Sequence, residues 1–166
     1  YLHYFLNICL KLSLIYLFSL SFIIIFTFTS ENDYKFFVIY SFLIAIASDI
    51  GGLAFGKFFK GRKLTKISPK KTFSGSIGAF IFSILLILFF HQTLANYLFI
   101  EIFLFTILVS FISQMGDLFI SYLKRKAKVK DTSDILPGHG GFLDRIDGII
   151  FAIPFGIFLS NFFNLS

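Results

Sequence analysis

Apolar residues in this chain are collected into long runs, and polar residues lie in short stretches between them. Five runs reach or approach the roughly 20 mainly apolar residues that a helix needs to cross a bilayer. A helix that is apolar on all sides belongs in a core or a membrane, and a chain of 166 residues has too little interior for five of them. We therefore predict an all-α, polytopic membrane bundle of about five transmembrane helices, with residues 1–166 forming one domain. The predicted segments are residues 12–29, 36–55, 75–90, 98–121 and 148–163.

The composition also favours a membrane protein. Hydrophobic residues make up 57% of the chain and charged residues 14%, whereas soluble domains contain about 45–50% and about 25%, respectively. The single cysteine, Cys9, excludes an internal disulfide bond. The chain begins at Tyr1 with no charged segment before its first apolar run, so we expect no removable signal peptide. We also expect further helices upstream.

The positive charges are concentrated in two of the connecting segments. Seven of the 15 Lys and Arg residues fall between Lys57 and Lys71, and five more fall between Lys124 and Lys130. Two predicted helices separate these segments, so both lie on the same side of the membrane. Loops rich in Lys and Arg face the cytoplasm, which places residues 161–166 outside. We accordingly predict a multi-pass protein of the cytoplasmic (inner) membrane.

Two simpler interpretations of the basic segments stay open. They could act only as topology signals, or they could bind anionic lipid head groups, each cation contributing about 1 kcal/mol. Neither interpretation accounts for the acidic residues beside them. We predict no nucleic-acid partner.

The segment from Lys124 to Asp147 combines residue types that suit a polyphosphate ligand. Five cations lie between Lys124 and Lys130, and the glycines of Pro137–Gly141 let backbone N–H groups approach a ligand closely. Asp144 and Asp147 are three residues apart, so they share a face if a helix begins there, and a helix N-terminus would itself favour an anion. His139 has no second His or Cys at ligand spacing, so we expect it to bond phosphate or its own loop rather than a metal.

Two acidic residues lie inside predicted membrane helices. Asp117 follows Gly116 late in the fourth segment, and Asp49 lies late in the second, so both are close to the cytoplasmic side. An ionisable group within a spanning segment is costly and is a functional candidate, although Asp49 alone could pair with a lysine or cap a helix. Four polar residues at helical spacing form one face of the fourth segment: Ser113, Asp117, Ser121 and Lys124.

Carboxylates that converge next to cations are typical of phosphoryl or nucleotidyl transfer. Mg²⁺ is usually held by one or two protein carboxylates together with substrate phosphates. Metal ions and Lys or Arg side chains neutralise the charge that develops during transfer. The chain has no Walker A or Rossmann glycine motif, so a nucleotide site would be of another type. A proton-coupled transporter fits less well because it needs no glycine-rich cytoplasmic loop.

Three blocks of residues match the pattern of one enzyme family. The longest contains Ser121, Lys124-Arg125, Lys130-Asp131, Pro137-Gly138-His139-Gly140-Gly141, Asp144-Arg145 and Asp147. The second contains Asp49, Gly56-Lys57, Ile67-Ser68-Pro69-Lys70-Lys71-Thr72 and Gly75, and the third is Gly116-Asp117-Leu118. Over about residues 48–154 the chain thus resembles the phosphatidate cytidylyltransferases, also called CDP-diacylglycerol synthases.

The resemblance implies that phosphatidate attacks the α-phosphorus of CTP, giving CDP-diacylglycerol and pyrophosphate for phospholipid biosynthesis. It implies Mg²⁺ near Asp117 and Asp144, with K⁺ as a candidate second ion and Asp147 and Asp49 as further metal ligands or orienting groups. The implied catalytic residues are Asp117, Asp144, Asp147 and Lys130. The implied substrate-binding residues are Lys70, Lys71, Lys124, Arg125, Asp131, Gly138, His139, Gly140, Gly141 and Arg145. Membrane lipids surround the protein, and a homodimer is an open alternative to a monomer.

The chain departs from the family pattern at two positions. Ser74 stands where the family usually has Glu, so no role is carried onto it, and Gly148 stands where Ser is common. Family members also have additional N-terminal helices, and this chain resembles their C-terminal part. The alternatives are a CTP-dependent polyprenol or phytol kinase, a synthase for another lipid phosphate, a cation- or proton-coupled transporter using the intramembrane Asp residues, and an inactive homologue that binds lipid or a partner.

Overall fold

The computed structural model describes residues 15, 19, 23, 32–65, 68, 71–126 and 147–165. Within these ranges the chain forms four long helices and one short one. They are α1 (Asn32–Phe59), α2 (Phe73–Phe89), α3 (His91–Leu94), α4 (Phe99–Lys126) and α5 (Ile149–Phe162). The first predicted segment, residues 12–29, lies outside the described residues apart from Ile15, Ser19 and Ile23.

The prediction of an all-helical membrane bundle is confirmed. By length and composition, Lys35–Phe59 within α1 and Phe99–Lys126 (α4) can each cross a membrane, and α2 and α5 are shorter apolar helices. Four predicted segments coincide with these four helices. Large apolar side chains are exposed on their outer surfaces, as expected for helices that face lipid; examples are Ile39, Phe58, Ile77, Leu88 and Phe111.

The end of α4 lies beyond the predicted boundary. Apolar content predicts a segment that ends at residue 121, whereas the helix continues to Lys126. Lys and Arg are good helix formers, and cations in a last turn are stabilised by the helix dipole. The last turn holds Lys124, Arg125 and Lys126. The apolar run ends where the residues become polar, whereas the backbone hydrogen bonding of the helix continues to Lys126.

Aromatic residues fill the core at the end of the bundle away from the basic segments. The ring of Phe37 lies 5.3 Å from that of Phe105, centroid to centroid, in an edge-on arrangement. Tyr40, also buried, pairs through its Oη with Thr106 Oγ1 at 3.0 Å, which satisfies both hydroxyls inside the bundle. α1 therefore packs on α4 here, and it also contacts α2 and α5.

At the basic end, α1 and α2 approach each other backbone to backbone. A Cβ atom on Gly51 would overlap the carbonyl oxygen of Gly78, and one on Gly75 would lie 2.7 Å from Gly52 O. Only glycine permits such an approach, since any side chain would force the helices apart. The contact fixes Asp49 of α1 beside the segment that leads into α2.

The basic segment between α1 and α2 folds back on itself. Leu64 N donates to Lys71 O at 2.8 Å, and Phe73 N donates to Arg62 O at 3.0 Å. These backbone bonds pair the two arms of the segment, so Lys71 is held at a fixed place just before α2. The segment is thus a folded element of the structure as well as a carrier of positive charge.

Ser74, which departs from the family pattern, has a structural role at the start of α2. Its Oγ accepts a hydrogen bond from Gly61 N at 3.3 Å and pairs with Thr72 Oγ1 at 3.0 Å. Thr72 caps the helix by accepting from Gly75 N at 3.1 Å. Ser74 therefore joins the beginning of the basic segment to the capped end of α2.

Candidate functional site

A cavity of about 660 Å³ lies among α1, α2, α4 and the first residue of α5, at the end that carries the basic segments. This volume is within the range of about 300–1,000 Å³ for small-molecule sites. The charged residues of its lining are Asp49, Lys57, Lys71 and Asp117. Ser76 and Gln114 line it about one helical turn deeper than Lys71 and Asp117, and apolar residues line it along its length, among them Ile46, Leu53, Leu64 and Ala79. The cavity therefore joins charged groups to an apolar wall.

Asp117 forms an ion pair with Lys71 at the wall of this cavity. The folded basic segment positions Lys71, and α4 positions Asp117, whose Oδ1 accepts a hydrogen bond from Ser121 Oγ at 3.5 Å. The side chain of Lys71 is 25% exposed and that of Asp117 is 32% exposed. Because the pair is only partly buried, a ligand in the cavity can reach both groups.

Asp49 lines the same cavity from α1. It is exposed to solvent there and lies within electrostatic range of Asp117, Lys71 and Asp147. Two carboxylates of like charge facing one cavity repel each other unless a cation lies between or beside them. The structure thus brings together three of the acidic residues singled out in the sequence.

A second ion pair links α4 to the residue before α5. Lys124 Nζ donates to Asp147 Oδ2 at 2.6 Å, and the two side chains are only 8% and 2% exposed. Lys124 lies in the last turn of α4, and Asp147 is the first described residue after the segment 127–146. The pair therefore fixes both ends of that segment against each other.

The predicted polar face of α4 points toward these groups. Ser121 contacts Asp117, Lys124 contacts Asp147, and Ser113 packs against Gly148, where an added Cβ would lie 2.6 Å from Ser113 Oγ. One helix face therefore borders both ion pairs, as the helical spacing predicted. Arg125 is exposed at the end of α4 and is not in the cavity lining.

The oxygen donors around Asp117 fit a hard divalent cation. Asp117 and Asp49 supply carboxylates, and Ser121 supplies a hydroxyl. Mg²⁺ prefers such ligands and usually completes its shell with water and substrate phosphates. Within the described residues, no group of three or more His, Cys, Asp or Glu side chains is placed to hold a metal ion. This part of the chain thus offers two carboxylates to a cation rather than a closed cage.

Several predicted site residues fall in parts of the chain that the structure does not describe. They are Lys70, Lys130, Asp131, Gly138, His139, Gly140, Gly141, Asp144 and Arg145. Their proposed roles remain predictions from the sequence.

The structure also adds residues that the sequence did not single out. Gln114 and Ser76 line the cavity, and Ser76 Oγ donates to Gln114 Oε1 at 2.6 Å. The available signal was the position of Gln114, a polar residue in an apolar helix one turn before Asp117. Lys57 belongs to a matched block but had no assigned role, and it too lines the cavity.

Comparison with known proteins identifies one family model and several similar bacterial proteins. Residues 3–163 match the model of the cytidylyltransferase family. The chain is 42% identical over 145 residues to the phosphatidate cytidylyltransferase of Rickettsia typhi, an alignment covering 81% of this chain and 63% of that protein. It is 38% identical over 130 residues to the enzyme of the same name from Bacillus subtilis, covering 77% and 48%. The chain therefore spans about half to two thirds of the length of these relatives.

Proposed function

This chain belongs to the cytidylyltransferase family, and we propose that the protein transfers CMP from CTP to phosphatidate. The products are CDP-diacylglycerol and pyrophosphate. The observation that carries the proposal is the cavity, which combines the charged residues Asp49, Lys57, Lys71 and Asp117 with an apolar wall that includes Ile46, Leu53 and Ala79. A lipid phosphate likewise joins a charged group to apolar chains.

The proposed reaction joins two phosphates. An oxygen of the phosphatidate phosphate forms a bond to the α-phosphorus of CTP, and the bond from that phosphorus to the oxygen bridging the β-phosphate breaks. Pyrophosphate leaves with that electron pair. The attacking phosphate monoester is already anionic at neutral pH, so the chain needs no separate strong base.

The proposed roles of the cavity residues follow from their charges. Asp117 and Asp49 would hold Mg²⁺, which when bound neutralises negative charge on the phosphates. Lys71 binds a phosphate oxygen, and its position beside Asp117 keeps the ammonium group at the cavity wall. Lys57 adds a second positive charge to the same lining.

The buried pair Lys124–Asp147 has a positioning role in this proposal. It holds together the two ends of segment 127–146, which the sequence predicts to bind nucleotide. In that segment Asp144 is a further metal ligand, and the other roles stay as the resemblance implies. The residues concerned are Lys130, Asp131, Gly138, His139, Gly140, Gly141 and Arg145.

The proposal places the cavity at the cytoplasmic face of the inner membrane, where CTP is available. The support is the charge distribution, since both basic segments lie at the same end of the bundle. K⁺ as a second ion and a homodimeric assembly are further expectations from the resemblance.

Labelled CTP tests the reaction. The purified protein is incubated with phosphatidate and with CTP that carries ³²P at either the α or the γ position. We expect label from the α position, and none from the γ position, in the lipid. Label from the γ position alone would identify a lipid kinase that releases CDP, and would overturn the proposal.

A transporter would give a different result. Liposomes containing the protein would then show ion flux that depends on Asp49 and Asp117, without any consumption of CTP. The proposal predicts CTP consumption that requires phosphatidate. The absence of CTP consumption in the presence of both substrates would contradict it.

A further inference from the structure

Gln114 presents an amide group whose hydrogen-bonding capacity is only half used. Its Oε1 accepts from Ser76 Oγ at 2.6 Å. Its Nε2 is buried, and among the described residues it has no hydrogen-bond partner. A buried donor without an acceptor is destabilising, so native structures rarely retain one unless another molecule supplies the acceptor.

The place of Gln114 in the cavity indicates what that molecule is. Gln114 precedes Asp117 by three residues on α4, which puts it about 4.5 Å further from the basic end. Ser76 likewise lies within α2, beyond Lys71. Ile46 and Ala79 lie further in the same direction, and so does Asp49, because Gly51 of α1 meets Gly78 of α2. The amide therefore lies one helical turn deeper in the cavity than the Lys71–Asp117 pair.

A diacylglycerol phosphate has one kind of neutral acceptor between its charged phosphate and its apolar chains, the carbonyl oxygen of its acyl esters. With the phosphate near Lys71 and Asp117, an ester carbonyl falls at the level of Gln114. Ser76 holds Oε1 on the opposite side of the amide, which leaves Nε2 as the group that can donate to a ligand.

We propose that Gln114 Nε2 donates a hydrogen bond to an ester carbonyl oxygen of the lipid substrate, and that Ser76 orients the amide for this contact. This inference rests on the proposed function. It makes Gln114 a residue that distinguishes ester-linked from ether-linked lipids, because an ether oxygen is a much poorer acceptor and has no carbonyl.

The test compares two lipids of equal chain length, diacyl phosphatidate and its dialkyl ether analogue. For the unmodified protein we expect kcat/KM to be about tenfold higher for the diacyl lipid, the size of one good hydrogen bond to a buried group. Gln114→Leu should remove most of that ratio by lowering kcat/KM for the diacyl lipid alone. The KM for CTP should be unchanged. Equal loss with both lipids, or an unchanged ratio, would overturn the inference.

Two further variants separate recognition from packing. Gln114→Glu keeps the acceptor for Ser76 Oγ but removes the donor, so it should also abolish the ratio, and it serves if Gln114→Leu does not fold. Ser76→Ala removes the orienting bond and should reduce the ratio only about two- to threefold. A full ratio in Gln114→Glu would contradict the inference.

Binding without turnover distinguishes failure of this inference from failure of the proposed function. The affinity of the protein for each of the two lipids is measured in the absence of CTP. A preference for the diacyl lipid that Gln114→Leu abolishes would uphold the contact even if no CMP were transferred. Equal affinities in the unmodified protein would overturn the contact, whatever the outcome with labelled CTP.

Discussion

The two ion pairs differ in how far each is buried, and this decides what each can do. Lys71 and Asp117 are 25% and 32% exposed, and such pairs contribute about 0.2–1 kcal/mol. Opening this pair to admit a ligand therefore costs little. Lys124 and Asp147 are 8% and 2% exposed, and removing one partner of a buried pair costs about 3–5 kcal/mol because the other charge loses its nearest counter-charge.

This difference predicts the stability of variants. Lys124→Met and Asp147→Leu should each lower the free energy of unfolding by about 3–5 kcal/mol. The double variant should recover much of the loss, because well-packed apolar residues can replace a buried pair. Thermal unfolding in detergent measures the effect, with Lys71→Met as the partly exposed control, expected to change stability by about 1 kcal/mol or less.

Activity of the same double variant separates two roles for the buried pair. If Lys124 and Asp147 only position segment 127–146, the double variant should regain activity as well as stability. A stable double variant without activity would show that one of the two side chains acts directly on substrate or metal. A double variant no more stable than the single variants would contradict the packing argument itself.

The sequence allowed a cavity residue to be predicted where its side chain was of an unusual type for an apolar helix. Asp49 and Asp117 stood out as charges in apolar helices, and both line the cavity. Gln114 did not stand out, since a neutral amide is tolerated in a helix and its significance depends on Ser76, a residue 38 positions away. The pairing of Lys71 with Asp117 was unpredictable for the same reason, because helix packing determines it.

Helix packing at the basic end depends on glycines that differ sharply in the space around them. A Cβ on Gly51 would overlap backbone atoms of Gly78, which cannot move without separating α1 from α2. A Cβ on Gly52 would meet nothing nearer than Gly75 O at 3.7 Å, an ordinary contact. Gly51 is therefore a tightly packed position, and its neighbour Gly52 is a matched control with space for a side chain.

We expect Gly51→Ala to destabilise the protein by about 1–3 kcal/mol through overpacking. Gly52→Ala should be neutral or stabilising by up to about 1 kcal/mol, because alanine is favoured over glycine in a helix. Thermal unfolding in detergent measures both. Equal effects at the two positions would show that α1 and α2 do not meet as described.

The crossing of α4 with the start of α5 gives a second packing prediction. A Cβ on Gly148 would lie 2.6 Å from Ser113 Oγ, a buried hydroxyl with no hydrogen-bond partner in the described part of the chain. Gly148→Ala should therefore destabilise the protein, while Ser113→Ala alone should be close to neutral.

Combining the two substitutions should remove the 2.6 Å overlap with Ser113 Oγ and leave Ser113 O at 3.2 Å as the nearest contact. The double variant is expected to be more stable than Gly148→Ala by about 1 kcal/mol or more, a coupling typical of residues in contact. Simple addition of the two single effects in thermal unfolding would contradict the contact. In the sequence, Gly148 is recognisable only as a departure from the family pattern, because Ser113, the residue it packs against, lies on another helix.

The arrangement of the described helices places charged residues at one end. α1 and α4 end there, and α2 and α5 begin there, so the first basic segment and Lys124–Lys126 lie at the same end although two helices separate them in sequence. This much followed from charge and hydropathy. The cavity did not, because its shape depends on how closely glycines let the helices approach and on which side chains face inward.

The orientation can be measured with a membrane-impermeant maleimide. In a Cys9→Ser background, single cysteines are placed at exposed residues of each end: Arg62 and Arg125 at the basic end, Gln92 and Asn96 at the other. We expect the first two to react only from the cytoplasmic side, and the other two only from outside. Labelling of Arg62→Cys and Gln92→Cys from the same side would contradict the topology.

We propose that CMP is transferred to a lipid phosphate in the cavity around Asp117. The most direct test is ³¹P NMR of CTP and phosphatidate incubated with the unmodified protein, with Asp117→Asn or with Lys63→Ala. Lys63 serves as the control because it is an exposed residue of the basic segment outside the cavity lining. We expect equal amounts of CDP-diacylglycerol and pyrophosphate, a loss of at least about a hundredfold in rate for Asp117→Asn, and near-normal rates for Lys63→Ala. Formation of CDP in place of pyrophosphate, or an undiminished rate for Asp117→Asn, would contradict it.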